Sequence, residues 1–308
     1  MPIGCGMQRR RGRILLAMSV TQWQLPGADG QPLYGNTHLP DDGAGQARGV
    51  LLICHGFKGY KDYGFLPALA HAAAERGLVA HRFNFSHSGV TERHETFERP
   101  ELFERDTFAK QVHDVHAVAS AVARGELAGP GLGQVWFGHS RGGVTVMLAA
   151  GGGLVEPGRR VAGQPRALIT AAAPSRACHF DEAACDELRR AGRVPSPSAR
   201  TGQVLYVGRS WLAEIEAQPD AHDVPAAVRR ATLPMLVVHG GGDETVPVSA
   251  AHELAAATGE RGRLMIIDAA SHTFDAPNPL ALDGPLPAAT SRLINEACAF
   301  ALHCFGET

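Results

Sequence analysis

The sequence predicts an α/β fold in which helices cover both faces of a mainly parallel central sheet. Short apolar runs rich in β-branched residues alternate with longer segments of helical periodicity, which is typical of βαβ units. The apolar runs are nearly continuous, as expected of strands that are buried on both faces. At 308 residues the chain is long enough to bury a substantial core. Two segments outside this alternation predict an antiparallel N-terminal hairpin and a small cap insertion.

The regular elements of the fold are predicted one by one from their own segments. The core strands are 50–54, 79–83, 135–137, 167–171, 235–239 and 264–267. Helices are predicted at 66–76, 142–150, 248–257 and 290–302. A further helix is indicated by apolar residues that recur at steps of four and three, which places them on one face. These residues are Phe108, Val112, Val115, Ala119 and Val122.

The hairpin and the cap are the two additions to this alternating pattern. Segments 19–25 and 33–39 flank a Pro-Gly-Ala-Asp-Gly turn and predict antiparallel strands at the sheet edge. Segment 174–230 separates two core strands and is too long for an ordinary connection. It contains a helix at 181–190, a Pro-Ser-Pro turn at 195–197 and a further stretch at 204–215. We interpret it as a cap over the carboxyl edge of the sheet, where α/β folds bind ligands; a surface insertion without function is the alternative.

Residues 19–308 are therefore predicted to form one domain that follows a short leader. Residues 1–18 contain four arginines and then an apolar run that is too short for the core of a signal peptide. We expect a disordered leader or an upstream start codon rather than an export signal. No later segment reaches the roughly 20 apolar residues that span a bilayer.

The bulk composition is that of an ordinary soluble globular protein. Apolar residues make up 44%, charged residues 19%, and the formal net charge is −2, so neither a nucleic acid nor a membrane surface is implied as a partner. Six cysteines occur without a Cys-x-x-Cys pair, which favours reduced thiols in a cytoplasmic protein over a zinc or redox site. Cys178 and Cys185 are close enough in sequence to leave a disulfide open.

A candidate nucleophile lies in segment 138–142, which has the pattern Gly-x-Ser-x-Gly. In a chain with 36 glycines the pattern alone is weak, but a predicted strand precedes it and a predicted helix follows it. In such a sharp turn the serine is strained, and the positions two before and two after it must lack side chains. Gly138 and Gly142 meet that requirement, so Ser140 is predicted to be the nucleophile.

A nucleophilic serine needs a base, and the base needs an acid that fixes its tautomer. Strand 235–239 ends in a glycine-rich turn that holds Asp243, and strand 264–267 leads into the loop that holds His272. Ser140, Asp243 and His272 thus occur in the order serine, acid, histidine, each in a loop after its own strand. This order and placement predict a catalytic triad.

Other titratable residues compete for these positions and are less suitable. Asp268 is too close to the end of its strand, Glu244 requires a differently wound turn, and His252 falls inside a predicted helix. His113 and His116 lie near one helical face, but no third ligand follows at metalloprotease spacing, so we predict no metal site.

The tetrahedral intermediate formed at such a serine carries a negative oxygen that needs backbone donors. One donor is expected to be the N–H of Arg141, the residue after the nucleophile. The other is expected in segment 55–59, after the strand 50–54. There Gly56 allows the backbone to approach closely, and Phe57 is predicted to donate its N–H.

Taken together, these segments resemble the α/β-hydrolase superfamily from about Val20 to the end of the chain. The resemblance is carried by residues 55–57, 138–143, 239–243 with 246–247, and 271–274. Segment 82–89 also resembles a loop of that family, with Asn84 in place of the usual Asp. Among subgroups the chain is similar to dienelactone-hydrolase-like and small feruloyl or acyl esterases, although true dienelactone hydrolases have a cysteine nucleophile.

The triad and the resemblance imply a serine hydrolase that cleaves a small-molecule carboxylic ester through an acyl-enzyme, with no metal or organic cofactor. An aminopeptidase or acylaminoacyl peptidase stays open, because amide cleavage uses the same triad. An acidic cluster in the cap would suit a substrate amine; its members are Asp181, Glu182, Asp186 and Glu187. A binding protein that has lost catalysis is the third alternative. Trp211 and Tyr206 are predicted either to contact substrate or to anchor the cap.

Overall fold

The computed structural model describes residues 19–92, 96–154 and 161–306, so the predicted leader 1–18 lies outside the described residues. The strands are β1 (Val20–Pro26), β2 (Pro32–His38), β3 (Gly49–Cys54), β4 (Leu78–Asn84), β5 (Gln134–His139), β6 (Pro165–Ala171), β7 (Arg193–Pro197), β8 (Val204–Gly208), β9 (Met235–Gly240) and β10 (Gly262–Ile267). The helices are α1 (Leu66–Glu75), α2 (Pro100–Glu104), α3 (Phe108–Arg124), α4 (Arg141–Gly151), α5 (Glu182–Ala191), α6 (Arg209–Ala217), α7 (Val224–Ala231), α8 (Val248–Thr258) and α9 (Ala288–Cys304).

Eight of these strands form one sheet in the order β1-β2-β4-β3-β5-β6-β9-β10. Strands β1 and β2 form the predicted antiparallel hairpin, and β2 also pairs antiparallel with β4. All other neighbours in the sheet are parallel. The predicted core strands and hairpin are therefore confirmed, with ends that differ by one or two residues.

Two hydrophobic clusters lie on opposite faces of the sheet, because successive strand residues point to opposite sides. In β3, Val50 and Leu52 join the cluster that packs against α3, α4, α7 and α8, whereas Leu51 and Ile53 join the one that packs against α1 and α9. The apolar stripe predicted on α3 is buried as expected. Helices thus cover both faces, as the sequence predicts.

The cap segment between β6 and β9 contains α5, the antiparallel pair β7-β8, α6 and α7. The turn predicted at 195–197 is wrong, because these residues belong to β7. Val194 and Ser196 are buried while Pro195 and Pro197 are exposed, which is the alternation of a strand. Proline is tolerated in an edge strand, where its missing N–H costs no ladder hydrogen bond. The turn follows instead, closed by the Ser198 N–H to the Gln203 carbonyl at 2.8 Å.

Two further sequence expectations concern cysteines and membranes. Cys178 and Cys185 are free thiols whose sulfur atoms lie 3.8 Å apart, so the disulfide left open by the sequence is not formed. In the described part of the chain, no helix has both the length and the apolar character that crossing a membrane requires.

Candidate active site

Ser140 lies at the turn between β5 and α4 with φ 52° and ψ −125°, a conformation that side-chain-bearing residues rarely adopt. The glycines around it permit close backbone crossings. A Cβ on Gly138 would lie 2.3 Å from the carbonyl oxygen of Gly142, and a Cβ on Gly142 would lie 2.4 Å from that of His55. The requirement for glycine at both positions, expected from the sequence, is therefore a packing requirement.

Gly142→Ala is expected to destabilise the fold by about 3 kcal/mol, the upper end for an overpacked site, because the new methyl would overlap two backbone carbonyls. It should also displace Ser140 and lower ester turnover. Gly284→Ala is the matched control, since a Cβ there meets open space. Denaturant unfolding and p-nitrophenyl butyrate turnover measure both effects; a Gly142→Ala protein with the stability of Gly284→Ala would contradict the packing argument.

The side chains of Ser140, His272 and Asp243 form one continuous hydrogen-bonded chain. His272 Nε2 lies 3.0 Å from Ser140 Oγ, and His272 Nδ1 lies 2.8 Å from Asp243 Oδ2. When Nδ1 carries the proton and donates to the carboxylate, Nε2 is left as the acceptor for the serine hydroxyl. The structure thus brings together three residues that the sequence separates by 132 and 29 positions.

The carboxylate of Asp243 is fully buried and is held by several donors. Its Oδ1 accepts hydrogen bonds from the N–H groups of Thr245 at 2.8 Å and Val246 at 2.9 Å. His239 Nε2 lies 3.4 Å from Oδ2. Burial raises the pKa of this carboxyl, but the hydrogen bonds from His239, His272 and Val246 outweigh it and hold the pKa below its ordinary value. Asp243 is therefore a carboxylate at neutral pH.

Two histidines around the triad were missed by sequence reasoning. His239, at the end of β9, is fully buried beside Asp243. His139 precedes the serine; its Nε2 lies 3.0 Å from the backbone carbonyl of His272, and the two rings lie 5.0 Å apart. Burial lowers the pKa of His139 to about 3, so this ring is neutral and donates to that carbonyl. The only sequence signal was a histidine at the carboxyl end of each of two core strands.

The segment predicted to supply an oxyanion donor packs directly against the serine. A Cβ on Gly56 would lie 2.9 Å from the Cβ of Ser140, so only glycine allows this approach. Within the described part of the chain, the N–H groups of Phe57 and Arg141 have no backbone acceptor. Two backbone donors near the serine are thus left available.

Comparison with known protein families identifies the family to which this chain belongs. The model of the Alpha/beta hydrolase family matches residues 50–282. The chain belongs to the α/β-hydrolase family. The membership expected from the sequence is confirmed, and no curated protein sequence matches the chain.

Several solved structures have the same fold as this chain. Est1E from Butyrivibrio proteoclasticus, with ferulic acid bound, is 20% identical and has a TM-score of 0.66 over 92% of this chain and 100% of its own. Dienelactone hydrolase from Anabaena variabilis is 17% identical, with a TM-score of 0.60 over 93% and 98%. A puromycin-hydrolyzing peptidase of Mycobacterium tuberculosis is 17% identical, with a TM-score of 0.65 over 94% of this chain and 40% of its own. At such identities the likeness shows the fold alone.

The rival acids and base of this hydrolase lie away from the hydrogen-bonded chain. Asp268 and Glu244 are exposed, and His252 is exposed on α8. Asp114, between the two histidines of α3, instead accepts hydrogen bonds from the Ala28 N–H and from Ser86, each at 2.8 Å. It serves the scaffold. Among the described residues, no group of three or more potential metal ligands converges.

Asn84, which replaces the usual Asp of the family loop, uses both halves of its amide. Its Oδ1 accepts from the Lys61 N–H at 2.6 Å, and its Nδ2 donates to the Thr91 carbonyl at 2.7 Å. An ionised carboxylate has no donor for the second bond. The residue therefore ties together two loops, and the substitution concerns the scaffold rather than the triad.

The two aromatic residues singled out in the cap have different surroundings. Trp211 is only 1% exposed and packs against Phe108 and Phe180. The guanidinium carbon of Arg193 lies 4.2 Å from the ring centre of Tyr206. Both contacts support the anchoring alternative.

Proposed function

We propose that this α/β hydrolase cleaves carboxylic esters through an acyl-enzyme, with Ser140 as nucleophile, His272 as base and Asp243 as acid. The observation that carries the proposal is the unbroken path of hydrogen bonds from Ser140 Oγ through His272 to Asp243. Serine hydroxyls are poor nucleophiles at neutral pH, and an adjacent oriented base removes that limitation. The strained backbone of Ser140 supports the same role, because such strain concentrates at functional sites.

The reaction follows from these positions. His272 Nε2 takes the hydroxyl proton as Ser140 Oγ attacks the ester carbonyl, and the N–H groups of Phe57 and Arg141 stabilise the resulting oxyanion. As the ester bond breaks, His272 returns the proton to the leaving alcohol. Water, deprotonated by the same imidazole, then hydrolyses the acyl-enzyme. Throughout, the Asp243 carboxylate fixes the tautomer of His272 and stabilises the imidazolium.

The acidic cluster in the cap favours cleavage of esters over a peptidase that binds a substrate amine, because its carboxylates already have partners. Glu182 and Asp186 accept hydrogen bonds from Arg189 at 2.9 and 2.6 Å, and Glu187 pairs with Arg190. These three carboxylates are exposed, and each is already paired with Arg189 or Arg190 instead of being free to bind a substrate amine. The shared fold with Est1E adds hydroxycinnamate esters to the substrates worth testing, beside short aliphatic esters.

Covalent labelling tests this proposal directly. A fluorophosphonate should modify the native protein at one site, and mass spectrometry should place the adduct on Ser140, because its hydroxyl faces a base that a buried carboxylate orients. The heat-denatured protein and His272→Ala serve as controls and should not be labelled. A panel of p-nitrophenyl, hydroxycinnamoyl and aminoacyl-anilide substrates then separates ester from amide cleavage.

Each alternative has its own outcome in the same experiment. Faster cleavage of aminoacyl-anilides than of esters would replace the esterase by a peptidase. The absence of both labelling and turnover in the folded protein would favour a binding protein without catalysis. An adduct on a residue other than Ser140 would refute the proposed site.

A further inference from the structure

The side chain of Arg141 is buried beside the nucleophile with few hydrogen bonds. The residue is 6% exposed, and its Nη1 lies 3.6 Å from Asp106 Oδ2. Its Nε and Nη2 have no hydrogen-bond partner in the described part of the chain. A buried charge is costly unless its surroundings replace water, so other groups must stabilise this guanidinium.

Aromatic rings from three separate parts of the molecule provide that environment. The guanidinium carbon lies 4.6 Å from the ring centre of Phe57, 5.2 Å from that of Trp211 and 5.3 Å from that of Phe108. Arginine suits such a site because its planar, weakly hydrated cation stacks on aromatic faces. One cation therefore contacts segment 55–59, the cap helix α6 and helix α3 together.

This contact joins the two predicted oxyanion donors through their side chains. Arg141 and Phe57 each offer a backbone N–H near Ser140, and the guanidinium of one lies against the ring of the other. Segment 55–59 also binds the cap, because Lys58 Nζ donates to the Pro197 carbonyl at 2.7 Å. The position of the Phe57 N–H thus depends on a cluster that includes the cap.

We propose that the Arg141 guanidinium is a positioning group that sets the Phe57 N–H relative to the Arg141 N–H and couples both to Trp211 in the cap. This inference rests on the proposed function. Oxyanion donors act when they lie about 2.7–3.1 Å from the oxygen that becomes charged in the transition state. A small displacement of Phe57 should therefore lower kcat and leave KM nearly unchanged.

Arg141→Met is the main test, since methionine keeps an unbranched stem and removes the cation. We expect kcat for p-nitrophenyl butyrate to fall about 10- to 100-fold, less than the loss of an entire oxyanion donor, with KM within about threefold. Phe57→Leu keeps the N–H, removes the ring and should have a similar effect. Each of the two substitutions removes the same contact, the one between the Arg141 guanidinium and the Phe57 ring. The double variant should therefore be no slower than the slower single variant.

Phe300→Leu is the matched control, because this ring on α9 packs against the hydrophobic cluster on the opposite face of the sheet. It should lower the melting temperature and keep kcat within about threefold of wild type. Arg141→Lys restores the charge without the planar face and should give an intermediate kcat. If Arg141→Met does not fold, as judged by melting and by the final extent of fluorophosphonate labelling, Arg141→Lys and Phe57→Leu carry the comparison.

The outcomes separate this inference from the proposed function. A wild-type protein with neither ester turnover nor labelling refutes the function itself. An active wild type with an unchanged kcat in Arg141→Met, or in both substitute variants, overturns the positioning role alone. So do losses that multiply in the double variant, and so does an effect confined to KM.

Discussion

Ser140→Ala should lower kcat for ester hydrolysis by about a million-fold and abolish fluorophosphonate labelling. The hydroxyl is the group that His272 Nε2 contacts at 3.0 Å, and alanine offers no nucleophile in its place. Stability should change by no more than about 1 kcal/mol, because the substitution removes one oxygen and keeps the same backbone strain. Turnover of p-nitrophenyl butyrate, active-site labelling and thermal melting measure the three quantities.

A serine outside the site provides the control for this variant. Ser291 is half-buried on α9, and Ser291→Ala should keep the full rate and full labelling. Labelling that persists in Ser140→Ala, or a residual rate above about one hundredth of wild type, would contradict the role of Ser140, since a triad nucleophile costs far more.

Asp243→Asn has the second-largest expected effect, a fall in kcat of about ten-thousand-fold at pH 7. The amide offers a donor where the carboxylate accepts from His272 Nδ1, so the ring is driven to the tautomer with its proton on Nε2. That nitrogen then cannot take the proton of Ser140. The neutral amide also fails to stabilise the imidazolium. Steady-state kinetics on folded protein measures the loss.

Glu244→Gln is the control for Asp243→Asn, because this exposed neighbour makes the same chemical change outside the hydrogen-bonded chain. It should keep kcat within about threefold, in the range of ordinary surface changes. A larger loss of kcat in Glu244→Gln than in Asp243→Asn would contradict the assignment of Asp243 as the acid.

The stability of Asp243→Asn should also depend on pH. Because the pKa of Asp243 is lower in the folded state, the carboxylate stabilises the fold above its unfolded pKa of about 3.9 and loses that contribution as pH falls. The difference in the free energy of unfolding between wild type and Asp243→Asn should therefore shrink in acid.

The fold and the positions of the triad candidates were predictable because both depend on local patterns. The core strands are apolar runs in the sequence, and parallel strands present their carboxyl ends at one edge of the sheet. Strands β5, β6, β9 and β10 are neighbours in that sheet. Loops that follow β5, β9 and β10 must therefore meet there, whatever the helices between them contain. The catalytic roles of Ser140, Asp243 and His272 stay predictions for the experiments above.

The strand β7 shows where local patterns mislead. Pro195 and Pro197 suggest a turn by composition, yet both are exposed on a strand whose other face is buried against the cap. A proline favours a turn or tolerates an edge strand depending on which partner its backbone faces. That partner is β8, and the pairing is a property of the folded chain.

The surroundings of the triad depend most strongly on the folded chain. Local periodicity and strand-end placement were enough to predict the α/β architecture, the Gly-x-Ser-x-Gly turn and the three side chains that meet there. The aromatic cluster around Arg141 was not predictable, because Phe57, Phe108 and Trp211 come from segments whose contact no sequence spacing encodes. The burial of the Asp243 carboxylate and its contact with His239 were not predictable for the same reason. Burial and long-range contacts set charge, pKa and orientation, and these arise only when distant segments pack together.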